Sequence, residues 1–279
     1  MTETELPTST DPGKRRDVWM EAGRAWGARA KEWAYQFEPY ALPANHMLFD
    51  QLGVGAGTAY LDVACGSGLA ANVAARRGAS VSGLDASANL IDIARARTPE
   101  GDFRVGDMFV LPFDDSRFDV LTSFNGIWNG CDDALREARR VLRVDGQLGM
   151  TYWGSFDAMG LLPYFVKIIE LSPESHQSAT TEMGKTSDIV EAMLERTQFD
   201  LQACGTVEVT NEWPDIETAV RALAAAGPAI PAIEAVGYET FCDSLRDFIA
   251  PLYEPSIGVR ISSELGWVTA RPINDASTI

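Results

Sequence analysis

The sequence predicts an α/β protein built on a Rossmann-like, seven-stranded sheet. The sheet is mostly parallel with a reversed last strand, and it carries helices on both faces and a helical cap insertion. Three observations carry that expectation. From Ala59 to Trp153, short apolar runs alternate with helical periodicity across short connections, as a parallel sheet requires. A glycine-rich turn, Cys65-Gly-Ser-Gly68, stands between the first strand and the helix after it, where open α/β sheets bind ligands. The length, 279 residues, suits one large domain with a cover better than two full domains.

Residues 1–14 are polar and rich in Thr, Pro and Asp, and a loose tail is expected there. One helix is expected from Asp17 to about Phe37. It would place Trp19, Trp26 and Trp33 within about 40° of one another, as a packing stripe or with Trp33 closing over a ligand. Pro43 starts a second helix running to Leu52, so that 17–53 forms an N-terminal helical cover.

Strands follow at Ala59–Val63, Ala79–Leu84, Phe103–Val105, Phe118–Phe124 and Gln147–Trp153, the last entered through an Asp145-Gly146 turn. Helices lie between them at Leu69–Arg77, at Ala88–Arg97 with Ser87 as N-cap, and at Asp133–Leu142. Beyond Trp153, helices are expected at Leu161–Leu171 and Ser187–Arg196 around a polar loop at 172–186. Strands are expected at Phe199–Val209 and Val259–Thr269. Asp215 to Tyr253 is mostly helical but interrupted by Gly227, Pro228, Pro231 and Gly237. It is too long for a turn, so about 213–255 reads as a cap insertion over one end of the sheet. The domain then covers 15–271, with a tail at 272–279.

Hydrophobic residues make up 46% of the chain and charged residues 23%, the balance of a folded protein. Twenty-three Lys and Arg against 40 Asp and Glu give a net charge of −17, which argues against nucleic acid and anionic membrane as partners. No apolar run reaches membrane-spanning length and the N-terminus lacks a signal-peptide core, so a cytoplasmic protein is expected. Cys65, Cys131, Cys204 and Cys242 lie far apart with only two histidines, which predicts neither a disulfide framework nor a metal site.

The loop carries the chemistry. Gly66 and Gly68 let backbone approach a ligand and turn into a helix N-terminus. Asp85 ends the second strand, where a carboxylate accepts ribose hydroxyls. Gly66, Gly68 and Ala71 also satisfy the dinucleotide fingerprint, so the glycines alone leave an NAD-dependent oxidoreductase open. Asp62 points the other way. A carboxylate near the end of a buried strand suits an ammonium and a sulfonium and opposes a diphosphate. Gly106-Asp107-Met108 ends the third strand, where Asp107 can accept an adenine amine.

These residues, with Leu61-Asp-Val-Ala-Cys-Gly-Ser-Gly68, Gly83-Leu-Asp-Ala-Ser87, Leu111-Pro-Phe113, Phe118-Asp-Val120 and Glu137-Ala-Arg-Arg-Val-Leu-Arg143, resemble the class I S-adenosylmethionine-dependent methyltransferases. The likeness is to the quinone-biosynthesis-like group and a bacterial branch of it, over Leu61 to Trp153. The segments Trp26–Pro39 and Trp213–Arg221 are similar to that branch as well. The resemblance implies S-adenosyl-L-methionine as cofactor. Asp62 and Ala64 to Gly68 would hold its methionine end, Asp85 the ribose, and Ala86 one face of adenine. Asp107 and Met108 would read the adenine edge, and Asn125 would face the amino group and the transferred methyl. Where the family prefers glycine this chain has Ala64, which would set the loop slightly farther from the ligand.

The expected activity is methyl transfer to an O, N or C atom of a small, partly apolar acceptor. A non-catalytic S-adenosylmethionine-binding protein is the other alternative. Trp33 and Trp128 are candidates to face the sulfonium, and Cys65 is expected to be inert. His46 is a candidate base and His176 lies in the polar loop, but no catalytic residue is assigned. A monomer or homodimer is expected.

Overall fold

The computed structural model describes residues 12–174 and 186–273. Among these, the strands are β1 (Ala59–Val63), β2 (Ser80–Asp85), β3 (Asp102–Val105), β4 (Phe118–Phe124), β5 (Leu142–Trp153), β6 (Phe199–Trp213), β7 (Tyr253–Glu254) and β8 (Gly258–Pro272). They form one sheet in the order β3-β2-β1-β4-β5-β8-β6, with the two-residue β7 paired to β8. The first five strands pair in parallel, whereas β8 runs antiparallel to both β5 and β6. The seven-stranded expectation therefore holds, with its reversed last strand and a short extra strand β7 on the edge of β8. The strand order reverses between β1 and β4, and the carboxyl ends of strands at such a switch point are where open α/β sheets form their ligand crevice.

The helices of the first half are α1 (Pro12–Gly27), α2 (Ala30–Glu32), α3 (Leu42–Leu52), α4 (Leu69–Arg76), α5 (Ala88–Arg97) and α6 (Asp132–Val141). Ser87 caps α5 as predicted, its side chain accepting from the Leu90 N–H at 3.3 Å. Further on come α7 (Leu162–Leu171), α8 (Thr186–Arg196), α9 (Ile216–Leu223), α10 (Ile230–Val236) and α11 (Tyr238–Ile249). Asp215 caps α9 through the Thr218 N–H at 2.7 Å. Most of the expected polar loop at 172–186, including His176, lies outside the described residues.

Three expectations need correction. The helix from Asp17 to Phe37 is broken: α1 begins at Pro12, inside the segment read as tail, and ends at Gly27. The chain resumes as α2, a π-helical turn at Trp33–Phe37 and a 3-10 turn at Glu38–Ala41. The break follows from packing. A methyl group on Gly23 would come 2.2 Å from the Ala86 carbonyl oxygen, and one on Gly27 would come 2.5 Å from Ser87 Oγ. Glycines thus press α1 onto the turn after β2, and Arg29 leaves the helix at φ −133. Next, Asp145-Gly146 does not precede β5 but lies within it, at a register shift between the pairs Phe118–Leu142 and Val120–Gln147. Finally, β6 and β8 run longer at their ends than the apolar alternation indicated.

Three buried clusters hold the layers together. One fills the sheet face beneath α3, α4 and α5, around Phe49, Tyr60 and Ile91. Another fills the opposite face beneath α6 and α8, around Leu121, Leu135 and Met193. The third joins the cover, α7 and the cap to β6 and β8 through Phe37, Tyr40, Tyr164, Phe241, Val209 and Leu265. The insertion therefore lies on the face of the β8–β6 half of the sheet. Among the described residues no single helix is long and apolar enough to cross a membrane.

Candidate functional site

The crevice between β1 and β4 gathers most of the residues singled out by sequence. Asp62, 2% exposed, sits beside Thr122 of β4, whose hydroxyl donates to its Oδ1 at 2.9 Å. Burial pushes the Asp62 carboxyl up to about 8. The nearby charges of Glu38 and Asp85 add to this, while the Thr122 hydrogen bond opposes it. Asp85, 8% exposed, accepts backbone N–H groups of Gly66 at 2.9 Å and Ser87 at 2.8 Å. Its carboxyl is raised by burial, and those amide bonds partly offset the rise.

The loop itself is left-handed at alternate residues, with φ of +57 at Ala64, +54 at Gly66 and +73 at Gly68. Glycine takes that conformation without steric cost, whereas an L-residue does not. The family's preference for glycine at position 64 therefore has a backbone origin. The Ala64 methyl is accommodated because position 126 is glycine: a Cβ there would come 2.4 Å from that of Ala64. At the end of β3, the Gly106 N–H donates to the Asp85 carbonyl at 3.0 Å, which sets Asp107 and Met108 just beyond the paired ends of β2 and β3. Asp107 Oδ1 accepts from the Phe109 N–H at 2.9 Å and orders that turn. Ala86 lies under α1 through its contact with Gly23.

Asn125, at φ +57, is fixed by Thr151, which bonds its backbone and side chain, and its Nδ2 donates to the Tyr40 hydroxyl at 3.0 Å. Aromatic rings continue from there: Tyr40 stacks with Trp153 at 6.0 Å, and Trp153 meets Phe165 edge-on at 5.4 Å. Trp33 stacks on Phe37 at 4.7 Å, and its Nε1 lies 3.8 Å from where a Gly66 methyl would sit. The other expected ring, Trp128, is 58% exposed on the loop after β4. His46 is not brought to the crevice. Its ring bonds Arg77 at 3.1 Å, at the far end of α4, where Arg77 also pairs with Asp50. Cys65 is buried, which pushes its thiol up and keeps it unreactive.

One component was missed in the sequence. Glu38, 7% exposed, accepts from the Ser67 N–H at 3.2 Å and from the Ser67 hydroxyl, and pairs with Arg97 at 2.7 Å. Burial raises the Glu38 carboxyl, against the pull of Arg97 and Ser67. The single charged residue inside the aromatic-rich run Trp33-Ala-Tyr-Gln-Phe-Glu-Pro-Tyr-Ala-Leu42 was the available signal.

The donor set discriminates between ligands. Glu38, Asp62 and Asp85 surround one glycine loop, and one of them, Glu38, is paired to a guanidinium, that of Arg97. Such a cluster of buried carboxyls, whose ionised forms a cationic ligand would favour, fits a ligand with an ammonium and a sulfonium and disfavours a diphosphate. Ser123 Oγ, buried and without a partner among the described residues, lies beside Gly126. The residues present therefore fit S-adenosylmethionine.

A switch-point crevice with an acidic glycine loop defines a nucleoside-binding α/β protein, and comparison with known proteins makes the class specific. The Methyltransferase domain family matches residues 61–150. A demethylmenaquinone methyltransferase of Lactobacillus johnsonii is 30% identical over 176 residues, covering 54% of this chain and 71% of that one. Another, from Thermotoga maritima, is 41% identical over 92 residues, or 32% of this chain and 40% of the relative. The YcgJ protein of Bacillus subtilis shares the fold, with a TM-score of 0.56 at 18% identity over 83% of this chain and 98% of that one. The chain belongs to the class I S-adenosylmethionine-dependent methyltransferases. It spans 40%, 45% and 41% of the length of three further curated relatives, counting the Thermotoga protein.

Proposed function

We propose that the protein transfers a methyl group from S-adenosylmethionine to an O, N or C atom of a small, partly apolar acceptor. The observation that carries this is the set of three buried carboxylates around Gly66–Gly68, under an aromatic cover. In this reading Asp62 and the loop from Ala64 to Gly68 hold the methionine end of the cofactor. Asp85 holds the ribose, Ala86 flanks adenine, Asp107 and Met108 read its edge, and Asn125 faces the amino group and methyl. The cofactor supplies an activated methyl on a sulfonium. The chain's own contribution is alignment of the acceptor and exclusion of water, which Trp33, Phe37, Tyr40 and Trp153 provide.

With His46 tied to Arg77, no histidine among the described residues serves as base at the crevice. The acceptor then brings its own acidity, as a phenol or enol does. The quinone named in the demethylmenaquinone relatives is a precedent for a small apolar ring as acceptor. The same reading takes a small molecule as partner, neither nucleic acid nor membrane, and a cytosolic monomer or homodimer. Turnover with isotopically labelled methyl donor against panels of phenols, quinols and amines tests it. Labelled small-molecule product is expected, whereas donor binding with no transfer to any panel member would favour a non-catalytic binder.

A further inference from the structure

We infer that Glu38 is a positioning residue that couples the N-terminal cover to the glycine loop, so that cover closure and loop shape are set together for the cofactor. This rests on the methyltransferase reading of the site.

Gly66 and Gly68, both left-handed, flank Ser67, so Ser67 is the one residue between them with a side chain by which the turn can be held. Glycine-rich turns are conformationally permissive, and a ligand that needs one shape must bind against that freedom unless something fixes it. Glu38 supplies the fixing contacts, taking the Ser67 N–H on Oε1 at 3.2 Å and the Ser67 hydroxyl on Oε2. Arg97 closes the ring from α5. Its guanidinium donates to Glu38 at 2.7 Å, to the Ser67 carbonyl at 3.2 Å and to the Ala34 carbonyl at 2.7 Å, and it lies 5.3 Å from the centre of the Tyr35 ring.

The cover, the loop and α5 thus meet at one buried ion pair, with side chains only 10% and 16% exposed. Its position matters for the ligand as well. Glu38 Oε1 stands 3.0 Å, and Trp33 Nε1 3.8 Å, from the place of a Gly66 methyl, so both pack against the backbone that would carry the methionine end. The segment bearing Glu38 is a π-helical turn running into a 3-10 turn, which turns the carboxylate inward while Tyr35 and Pro39 on either side stay exposed. A buried carboxylate with every oxygen partnered is a rigid link; one stripped of its partners is not tolerated.

The test compares Glu38→Ala, Glu38→Gln and the wild type by calorimetry with S-adenosylhomocysteine and by steady-state kinetics. The alanine variant is expected to weaken binding at least tenfold, with kcat/KM for the cofactor falling at least tenfold more than kcat. Glutamine keeps an acceptor for the Ser67 N–H but not the charge that pairs with Arg97, so its affinity is expected to fall between those of alanine and wild type. In hydrogen exchange on the wild-type protein, S-adenosylhomocysteine is expected to protect 33–41 together with 66–68, a readout that does not depend on whether the alanine variant folds. The inference is overturned by alanine binding as well as wild type, by glutamine doing no better than alanine, or by unchanged exchange over 33–41. Wild-type protein that binds neither the methyl donor nor its demethylated product refutes the methyltransferase reading itself. Wild-type binding alongside any of the three contrary results refutes the coupling alone.

Discussion

Ala64 and Gly126 form a pair whose energetics can be separated. In the native chain Ala64 holds φ +57, a conformation that costs an L-residue about 1–2 kcal/mol. Replacing it with glycine removes that strain but frees the unfolded chain at a cost of about 0.4–1 kcal/mol, so Ala64→Gly alone changes stability little. Gly126→Ala is different. Its new Cβ would fall 2.4 Å from the Ala64 Cβ and 2.8 Å from Ser123 Oγ. The hydroxyl can rotate away but the Ala64 methyl cannot, so the substitution costs about 1–3 kcal/mol, as overpacking does.

With glycine at 64 the closest clash is gone and alanine at 126 is tolerated. The coupling between the two changes is therefore at least about 1 kcal/mol, in the range found for residues in contact. Urea unfolding of the wild type, both single variants and the double variant measures it. Because the Ala64 methyl faces Gly126, cofactor affinity of Ala64→Gly should stay within about threefold of wild type, less than the 1.4 kcal/mol of a tenfold change. Additivity of the two substitutions to within about 0.4 kcal/mol would refute the packing account.

Asp62 gives the next test. The folded chain keeps its proton up to about 8, whereas the unfolded chain loses it near 3.8, so the ligand-free protein loses stability as pH rises through that window. Asp62→Asn should therefore be more stable than wild type at pH above 8 and yet bind the methyl donor at least about tenfold more weakly, by urea unfolding and calorimetry. A cationic ligand requires the carboxylate, so wild-type affinity should rise between pH 6 and 8 by up to about tenfold per unit, with proton release seen in buffers of different ionisation heat. His46→Ala should leave the pH–rate profile unchanged, since the ring bonds Arg77 away from the crevice; a lost ionisation would contradict that placement. Tyr40→Phe removes the acceptor of the Asn125 side chain, and a loss of about 0.5–1.5 kcal/mol in kcat/KM is expected by steady-state kinetics.

The parts of this site that were legible in the sequence are those where local backbone chemistry leaves few options. A charged residue in a buried strand, glycines after it and a second carboxylate at the next strand end could be placed by periodicity alone, and Asp62, Gly66 and Asp85 converge on the crevice. What could not be read depends on surfaces far apart in the chain. Gly27 ends α1 because Ser87 Oγ lies beneath it, a fact of packing that helical spacing does not contain. Glu38, Ser67 and Arg97 meet only through the folded cover, and the pairing of the candidate base His46 with Arg77 is likewise a contact between two helices that local spacing does not contain. The Asp145-Gly146 turn signal was real, but the sheet absorbed it as an irregularity within β5.

Titration of freshly purified protein with S-adenosylmethionine, S-adenosylhomocysteine and NAD in a calorimeter addresses the charge of the socket directly. Three buried carboxylates against one guanidinium predict saturable uptake of the first two and none of the dinucleotide. Binding of NAD with no heat from either adenosyl thioether would contradict the account at its root.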